Sequence, residues 1–196
     1  MLQSRFRAPV TKLITPICRG ALRIGITPNM LTAVGSLGAA TSALYFFPQG
    51  KFLLGTFIVA IFVLSDLLDG TMARMTNQSG TRWGALLDST MDRISDASIC
   101  IGIWAYYEST GDSNQYLALA VLVLGTLIPY VRARAEGLGI ACNVGIAERA
   151  ERLILILVGT GLAGLGFTEA LPVVLVVLVV LSVITVSQRL LLVYRA

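Results

Sequence analysis

The chain has 196 residues, of which 56% are hydrophobic, with a mean hydropathy of +0.80 and a formal net charge of +4. That length suits one domain, and that composition excludes an ordinary soluble one. The sequence contains no histidine, which removes imidazole as general base, phosphoryl carrier or metal ligand.

Several apolar runs of about 20 residues can each cross a bilayer, so the expected class is an all-α, polytopic membrane protein. Residues 1–25 interleave Arg5, Arg7, Lys12, Arg19 and Arg23 with Phe6, Val10, Leu13, Ile14 and Ile17. That spacing predicts an amphipathic helix on an anionic membrane surface, ahead of a transmembrane domain over 26–196. The plainer alternative is a basic tail that only sets orientation. Thr27-Pro28 predicts a helix start, with Thr27 as N-cap and Pro28 at the first helical position. Six spans come next, over about 28–47, 52–75, 83–107, 116–136, 148–166 and 171–194. Asn29 and Thr32 share a face of the first turn, where they either cap locally or contact a ligand. Pro129 predicts a kink in the fourth span. Cys18, Cys100 and Cys142 lack paired spacing and read as free packing residues.

Of the fifteen lysines and arginines, only Lys51 falls on the outer side of this six-span arrangement. The positive-inside rule therefore places both termini on the cytoplasmic side of the cell membrane. The stretch from Asp66 to Asp92 then lies at the cytoplasmic face.

That stretch gathers four carboxylates. Asp66 and Asp69 are i, i+3 neighbours on one helix, and Asp88 and Asp92 are i, i+4 neighbours on the next. Like charges packed together either protonate or hold something positive between them, and divalent cations with oxygen ligands meet that need. Gly70, Ala73 and Gly84 leave room beside such ions, and Arg74 is placed for a phosphate. The alternative is a set of ion pairs with Arg74, Arg82 and Arg93. Asp96, one turn beyond Asp92, reads as a structural partner or an outer support. A second cluster, Arg132, Arg134, Arg149 and Arg152 with Arg189, has the planar donors that suit a phosphate monoester. Orientation signalling alone would also account for it.

The pattern Asp66-x-x-Asp69-Gly70-x-x-Ala73-Arg74, then Gly84-x-x-x-Asp88-x-x-x-Asp92, resembles the signature of the CDP-alcohol phosphotransferase family. The gap from Arg74 to Gly84 is one residue longer than is commonest there, which predicts a longer turn. Thr27-Pro28-Asn29, Gly80-Thr81-Arg82-Trp83-Gly84, Asp92-Arg93-Ile94-Ser95-Asp96, Arg132-Ala133-Arg134 and Glu148-Arg149-Ala150-Glu151-Arg152 are similar to the actinobacterial phosphatidylinositol phosphate synthases of that family. Arg132 stands where relatives often carry lysine.

The resemblance implies a six-helix homodimer in phospholipid biosynthesis. It would transfer the phosphatidyl group of CDP-diacylglycerol to inositol 1-phosphate, releasing CMP. It implies two Mg2+ ions, with Mn2+ as a substitute, on Asp66, Asp69, Asp88 and Asp92, the last also acting as proton acceptor. Asn29, Met30, Leu31, Thr32, Asp69, Gly70, Ala73, Arg74, Thr81 and Gly84 would line the CDP-diacylglycerol site. Arg132, Arg134, Arg149, Arg152 and Arg189 would hold the acceptor's phosphate. Membrane lipids are expected partners and nucleic acid is not. Rival readings are a synthase using glycerol 3-phosphate, a cation transporter with an acidic site, and a structural membrane scaffold.

Overall fold

The computed structural model describes residues 15–16, 18–65, 68, 71–72, 75 and 81–196. Regular structure among these residues is entirely helical. Much of the expected amphipathic segment over 1–25 lies outside the described residues. Its described end is helical over 18–23.

The principal helices are α1 (Pro28–Phe46), α2 (Phe52–Leu64), α3 (Arg82–Thr110), α4 (Gln115–Gly137), α5 (Arg149–Gly164) and α6 (Ala170–Arg195). The hydroxyl of Thr27 accepts the Met30 N–H at 3.2 Å, so Thr27 caps α1 and Pro28 opens it. At its other end, α4 stops at Gly137, and Gly139 comes just beyond at φ 81°. Only that left-handed turn lets Ile140 N–H reach back to the Ala135 carbonyl at 3.0 Å.

The expected second span over 52–75 is not one continuous helix, because α2 ends at Leu64. Ser65 N–H bonds the Phe62 carbonyl at 3.1 Å, and Leu68 N–H bonds the Ser65 carbonyl at 2.8 Å. These are three-residue reaches in place of the four-residue helical ladder. The Ser65 hydroxyl also donates to the Phe62 carbonyl, competing with the backbone for it. Gly35 of α1 lies so close that an added Cβ would overlap the Ser65 hydroxyl. With 13 residues, α2 is about 20 Å long, short of a bilayer core.

Among the described helices, α4 and α6 are long and apolar enough to cross a membrane. Only 22% and 33% of their most apolar windows are buried, which separates them from core helices of a soluble protein. On α6 the two faces differ. Leu171, Leu175, Leu178, Ser182, Thr185, Val186 and Arg189 face inward, whereas Val173, Val176, Val180, Val183, Leu190 and Leu191 are exposed. An apolar exterior around an interior that includes polar groups is the pattern of a protein solvated by lipid.

By internal contacts the chain divides into two compact units, residues 1–39 with 60–95 and residues 40–59 with 96–196. Within the first, Gly38 meets the Phe62 ring, Met72 is fully buried, and the Cys18 thiol lies 3.6 Å from the Leu68 carbonyl. Within the second, α4 and α5 both pack on α6. There the Phe47 ring lies against Gly55, the Phe52 and Tyr106 rings meet edge-on with centroids 4.7 Å apart, and the Thr56 and Thr160 hydroxyls are hydrogen-bonded at 2.6 Å. Cys18, Cys100 and Cys142 are buried and form no disulfide.

In lipid, helices gain little by hiding apolar surface from one another, so close approach at small residues matters more. A Cβ on Gly102 would stand 2.6 Å from the Ala43 carbonyl oxygen, a backbone atom that cannot swing aside. Gly102→Ala is expected to cost about 1–3 kcal/mol and lower the thermal midpoint in detergent. Gly137→Ala, with nothing within 4 Å, is expected to leave that midpoint in place.

Candidate active site

In the first unit, the opening turns of α1 and α3 come together at Gly84. A Cβ there would stand 2.7 Å from the Thr81 hydroxyl and 3.4 Å from Asn29 Oδ1. Glycine thus clears a small space between two helix starts. Thr81 caps α3, its hydroxyl accepting the Gly84 N–H at 3.1 Å. First-turn N–H groups have no intrahelical acceptor, and the positive end of the helix dipole lies there, so both starts favour an anion such as a phosphate.

Asn29 and Leu31 are half-buried and Met30 is exposed. Thr32 is buried, and its hydroxyl donates to the Pro28 carbonyl at 3.1 Å. Of the two alternatives for the Asn29–Thr32 face, local bonding thus accounts for one use of the Thr32 hydroxyl, while Asn29 stands beside the Gly84 space.

Asp88 and Asp92 lie four residues apart on α3 and therefore share a helical face. Asp88 is exposed. The Asp92 side chain is 13% exposed, and its Oδ2 lies 3.6 Å from Arg93 Nη2. Arg93 Nε is buried without a hydrogen-bond partner among the described residues. The ion-pair alternative is thus realised in part, at one carboxylate.

Asp66, Asp69, Gly70, Ala73 and Arg74 lie outside the described residues. Among the described residues no group of three or more metal-binding side chains occurs. Asp88 and Asp92 nonetheless supply hard oxygen donors on one helical face, a donor set that fits Mg2+ or Mn2+ and not a soft metal.

The second unit holds the arginines, and it sorts them. Asp96 Oδ1 lies 3.4 Å from Arg149 Nε, and Asp96 Oδ2 lies 3.6 Å from Arg152 Nη2. Arg152 also donates from Nη1 to the Ala147 carbonyl at 3.0 Å. Arg189 is buried: Nη1 donates to the Ile128 carbonyl at 2.6 Å, Nε to the Val144 carbonyl at 2.9 Å, and Nη2 lies 3.9 Å from Glu148. Arg132 pairs with Glu136 one turn on, at 2.9 Å, and reaches Asn143 at 3.5 Å. Arg134 is exposed and has no ion pair among the described residues. The structure therefore brings Arg149 and Arg152 onto one carboxylate, holds Arg189 between backbone carbonyls, and gives Arg132 a partner of its own.

The segment over 138–148 has no regular structure, yet it is fastened. The Thr185 hydroxyl of α6 accepts the N–H groups of Ile146 at 3.3 Å and Ala147 at 3.0 Å. Gly145, at φ 137°, passes so close that a Cβ would stand 2.7 Å from Thr185 Cγ2. Sequence reasoning missed Thr185 altogether and left Asp96 without a named partner. Neither has a local signal, since Thr185 lies 38 residues from Ala147 and Asp96 lies 53 from Arg149.

Residues 25–186 match the protein family described as CDP-alcohol phosphatidyltransferase. The chain is 40% identical over 204 residues to the phosphatidylinositol phosphate synthase of Streptomyces avermitilis, covering 100% of this chain and 83% of that protein. It is 43% identical over 201 residues to the one from Cutibacterium acnes, covering 97% of each. The fold is similar to the crystal structure of Mycobacterium tuberculosis phosphatidylinositol phosphate synthase with CDP-DAG bound. The TM-score is 0.87 at 42% identity, over 93% of this chain and 94% of that one. For the same enzyme in complex with manganese and citrate the TM-score is 0.85 at 42% identity, over 92% and 88%.

Gly84→Ala is expected to push the Thr81 hydroxyl out of its cap and remove about 1 kcal/mol of stability, read as a lower thermal midpoint. Thr81→Ser keeps the hydroxyl and is expected to keep the midpoint.

Proposed function

The chain belongs to the CDP-alcohol phosphatidyltransferase family, and from that membership we propose that it transfers the phosphatidyl group of CDP-diacylglycerol to inositol 1-phosphate, giving phosphatidylinositol phosphate and CMP. It is an enzyme of that class and a membrane protein. Identity of 40% across the full chain to a protein named phosphatidylinositol phosphate synthase is the observation that carries the choice of acceptor. Family membership leaves the transporter and scaffold readings without support.

In this reading Asp66, Asp69, Asp88 and Asp92 hold two Mg2+ ions, for which Mn2+ can substitute. When bound, the ions neutralise the pyrophosphate and stabilise the departing CMP. The rest falls to the chain's own side chains. Asn29, Met30, Leu31, Thr32, Asp69, Gly70, Ala73, Arg74, Thr81 and Gly84 line the CDP-diacylglycerol site, the two helix starts lending the positive ends of their dipoles. Asp92 accepts the proton of the acceptor hydroxyl, a role left to a carboxylate where no imidazole exists. The hydroxyl oxygen bonds to the lipid-side phosphorus as the bond to CMP breaks.

Arg149 and Arg152 hold the acceptor's phosphate, with Arg134 and Arg132 at more exposed positions. Arg189 contributes from the interior, where two of its nitrogens already serve backbone carbonyls. Bidentate guanidinium contacts fix the acceptor's approach as well as its affinity. The same reading takes the membrane domain over 26–196 as six spans behind an N-terminal interfacial helix over 1–25. Both termini and the site would lie on the cytoplasmic side, and the protein would form a homodimer. The charge asymmetry of the sequence supports the orientation.

The deciding measurement is CMP release from CDP-diacylglycerol with inositol 1-phosphate, glycerol 3-phosphate or free inositol. Turnover is expected with inositol 1-phosphate, to be lost in EDTA and regained with Mg2+. A preference for glycerol 3-phosphate would overturn the acceptor assignment. Asp92→Asn is expected to lower turnover at least about 100-fold while CDP-diacylglycerol still binds. Near-normal turnover in that variant would remove Asp92 from the role of base.

A further inference from the structure

We propose that a cleft at the charged end of α6 binds one anionic phospholipid of the membrane, with its phosphate at Arg195, its glycerol esters at Gln188 and an acyl chain along Leu191 and Leu192. The inference needs only that the chain is a membrane protein. It is independent of which alcohol accepts the phosphatidyl group.

The cleft has a volume of about 500 Å³ and lies within the second unit, between the last turns of α6 and the 144–146 stretch. Gln188, Leu191, Leu192 and Arg195 recur at three- and four-residue spacing, so they share one side of the helix. Val144, Gly145 and Ile146 complete the lining. That irregular wall is held in place: the Thr185 hydroxyl accepts the Ile146 N–H, and Arg189 donates to the Val144 carbonyl. The cleft is thus built without a ligand. Arg189 itself is buried and does not line it.

Three properties of the lining point to the occupant. Arg195 is exposed and has no ion pair among the described residues, and no carboxylate lines the cleft. An uncompensated cation at a membrane surface attracts an anionic headgroup. The Gln188 side-chain oxygen is buried and has no hydrogen-bond partner among the described residues. Leaving such a group unpaired is costly, so it favours a polar partner. An amide presents its oxygen or, turned through 180°, its –NH2, and can therefore accept from a hydroxyl or donate to an ester carbonyl. Ile146 and Leu191 are 48% and 51% exposed, so the mouth is apolar.

Position along the helix orders these groups. With 26 residues, α6 is about 39 Å long against a hydrocarbon core of about 30 Å, so its charged last turn reaches the headgroup level. Gln188 lies seven residues before Arg195, about 10 Å deeper along the axis. Phosphate outermost, esters beneath and chains deeper still is the order in which a phospholipid presents its parts. A soluble anion would satisfy Arg195 alone, and a bare acyl chain would satisfy the leucines alone.

The test uses the full chain, delipidated in detergent and titrated with phosphatidylglycerol or phosphatidylcholine of matched chains, with bound lipid counted by native mass spectrometry. Wild-type protein is expected to retain one phosphatidylglycerol per chain about fivefold more tightly than phosphatidylcholine. Arg195→Gln should bring the two lipids within about twofold of each other. Gln188→Leu should weaken both about threefold and keep the preference. Lys51→Gln, which removes a cation outside the cleft, should change neither. In Arg195→Gln, kcat and KM for CDP-diacylglycerol are expected to stay within about twofold of wild type.

A wild-type protein without preference for phosphatidylglycerol overturns the proposal, as does a preference that survives in Arg195→Gln. Displacement of the lipid by an equal concentration of inorganic phosphate would make the cleft a site for free anions and overturns it too. A raised KM for CDP-diacylglycerol in Arg195→Gln would assign the cleft to the substrate. A changed oligomeric mass in that variant would make it a contact between copies of the chain, and either result overturns the proposal. Should Gln188→Leu fail to fold, Arg195→Gln, at an exposed position, decides. All these outcomes leave the choice of acceptor alcohol untouched, since that rests on CMP release.

Discussion

Charge held away from water must be compensated where it stands, and the inner structure of the second unit depends on that constraint. An ion taken out of water costs several kcal/mol even after the protein relaxes around it. Arg152 and Arg189 are both buried, and each has its partners in place. Arg152 has Asp96 and the Ala147 carbonyl, and Arg189 has the Ile128 and Val144 carbonyls with Glu148 beyond. Apart from Ala147, these partners come from distant parts of the chain. Satisfying two guanidinium groups therefore fixes α4, α5, α6 and the 138–148 segment together more specifically than apolar contact could.

The apolar surface plays the complementary part. Leucines and valines on the outer face of α6 have no reason to seek one another in lipid, so they do not decide how helices pair. Pairing is decided where side chains are small or absent. Gly55 lies against the Phe47 ring, Gly102 against the Ala43 carbonyl, and Gly159 against Val174. The exterior admits many sequences, whereas the glycine contacts and the buried polar groups admit few.

Much of this was legible in the sequence, for reasons that are local. Thr27-Pro28 marked the start of α1 because capping is decided within one turn. The expected spans over 116–136 and 171–194 fall within one residue of α4 and α6 at each end, because apolar runs of that length have few alternatives. The break at Ser65 was not legible: the approach of Gly35, which crowds that turn, belongs to another helix. The Arg132–Glu136 pair sits at helical spacing and could have been separated from the arginine cluster on that ground. Asp88, Asp92, Thr81 and Gly84 of the first unit stand out in the sequence by their motif, while within the second unit the bridge from Asp96 to Arg149 and Arg152 joins positions more than fifty apart in the chain. Spacing rules cannot see such a bridge.

The segment over 138–148 is a loop that takes its hydrogen bonds from a neighbouring helix, and this changes how freely it can vary. Loops usually tolerate insertion and drift, since water completes their backbone. Here one threonine hydroxyl accepts two consecutive amides just ahead of α5, and Arg189 donates to the Val144 carbonyl of the same stretch. Divergence among related sequences should therefore be low along this irregular stretch and at position 185, where only a second hydroxyl residue preserves the bonds. The acidic, polar turn after α3 shows only local bonds among the described residues, such as Asp112 N–H to the Tyr107 carbonyl and Asn114 N–H to the Asp112 carboxylate, and is expected to vary more in length and composition. A segment without secondary structure is thus expected to diverge as slowly as a core.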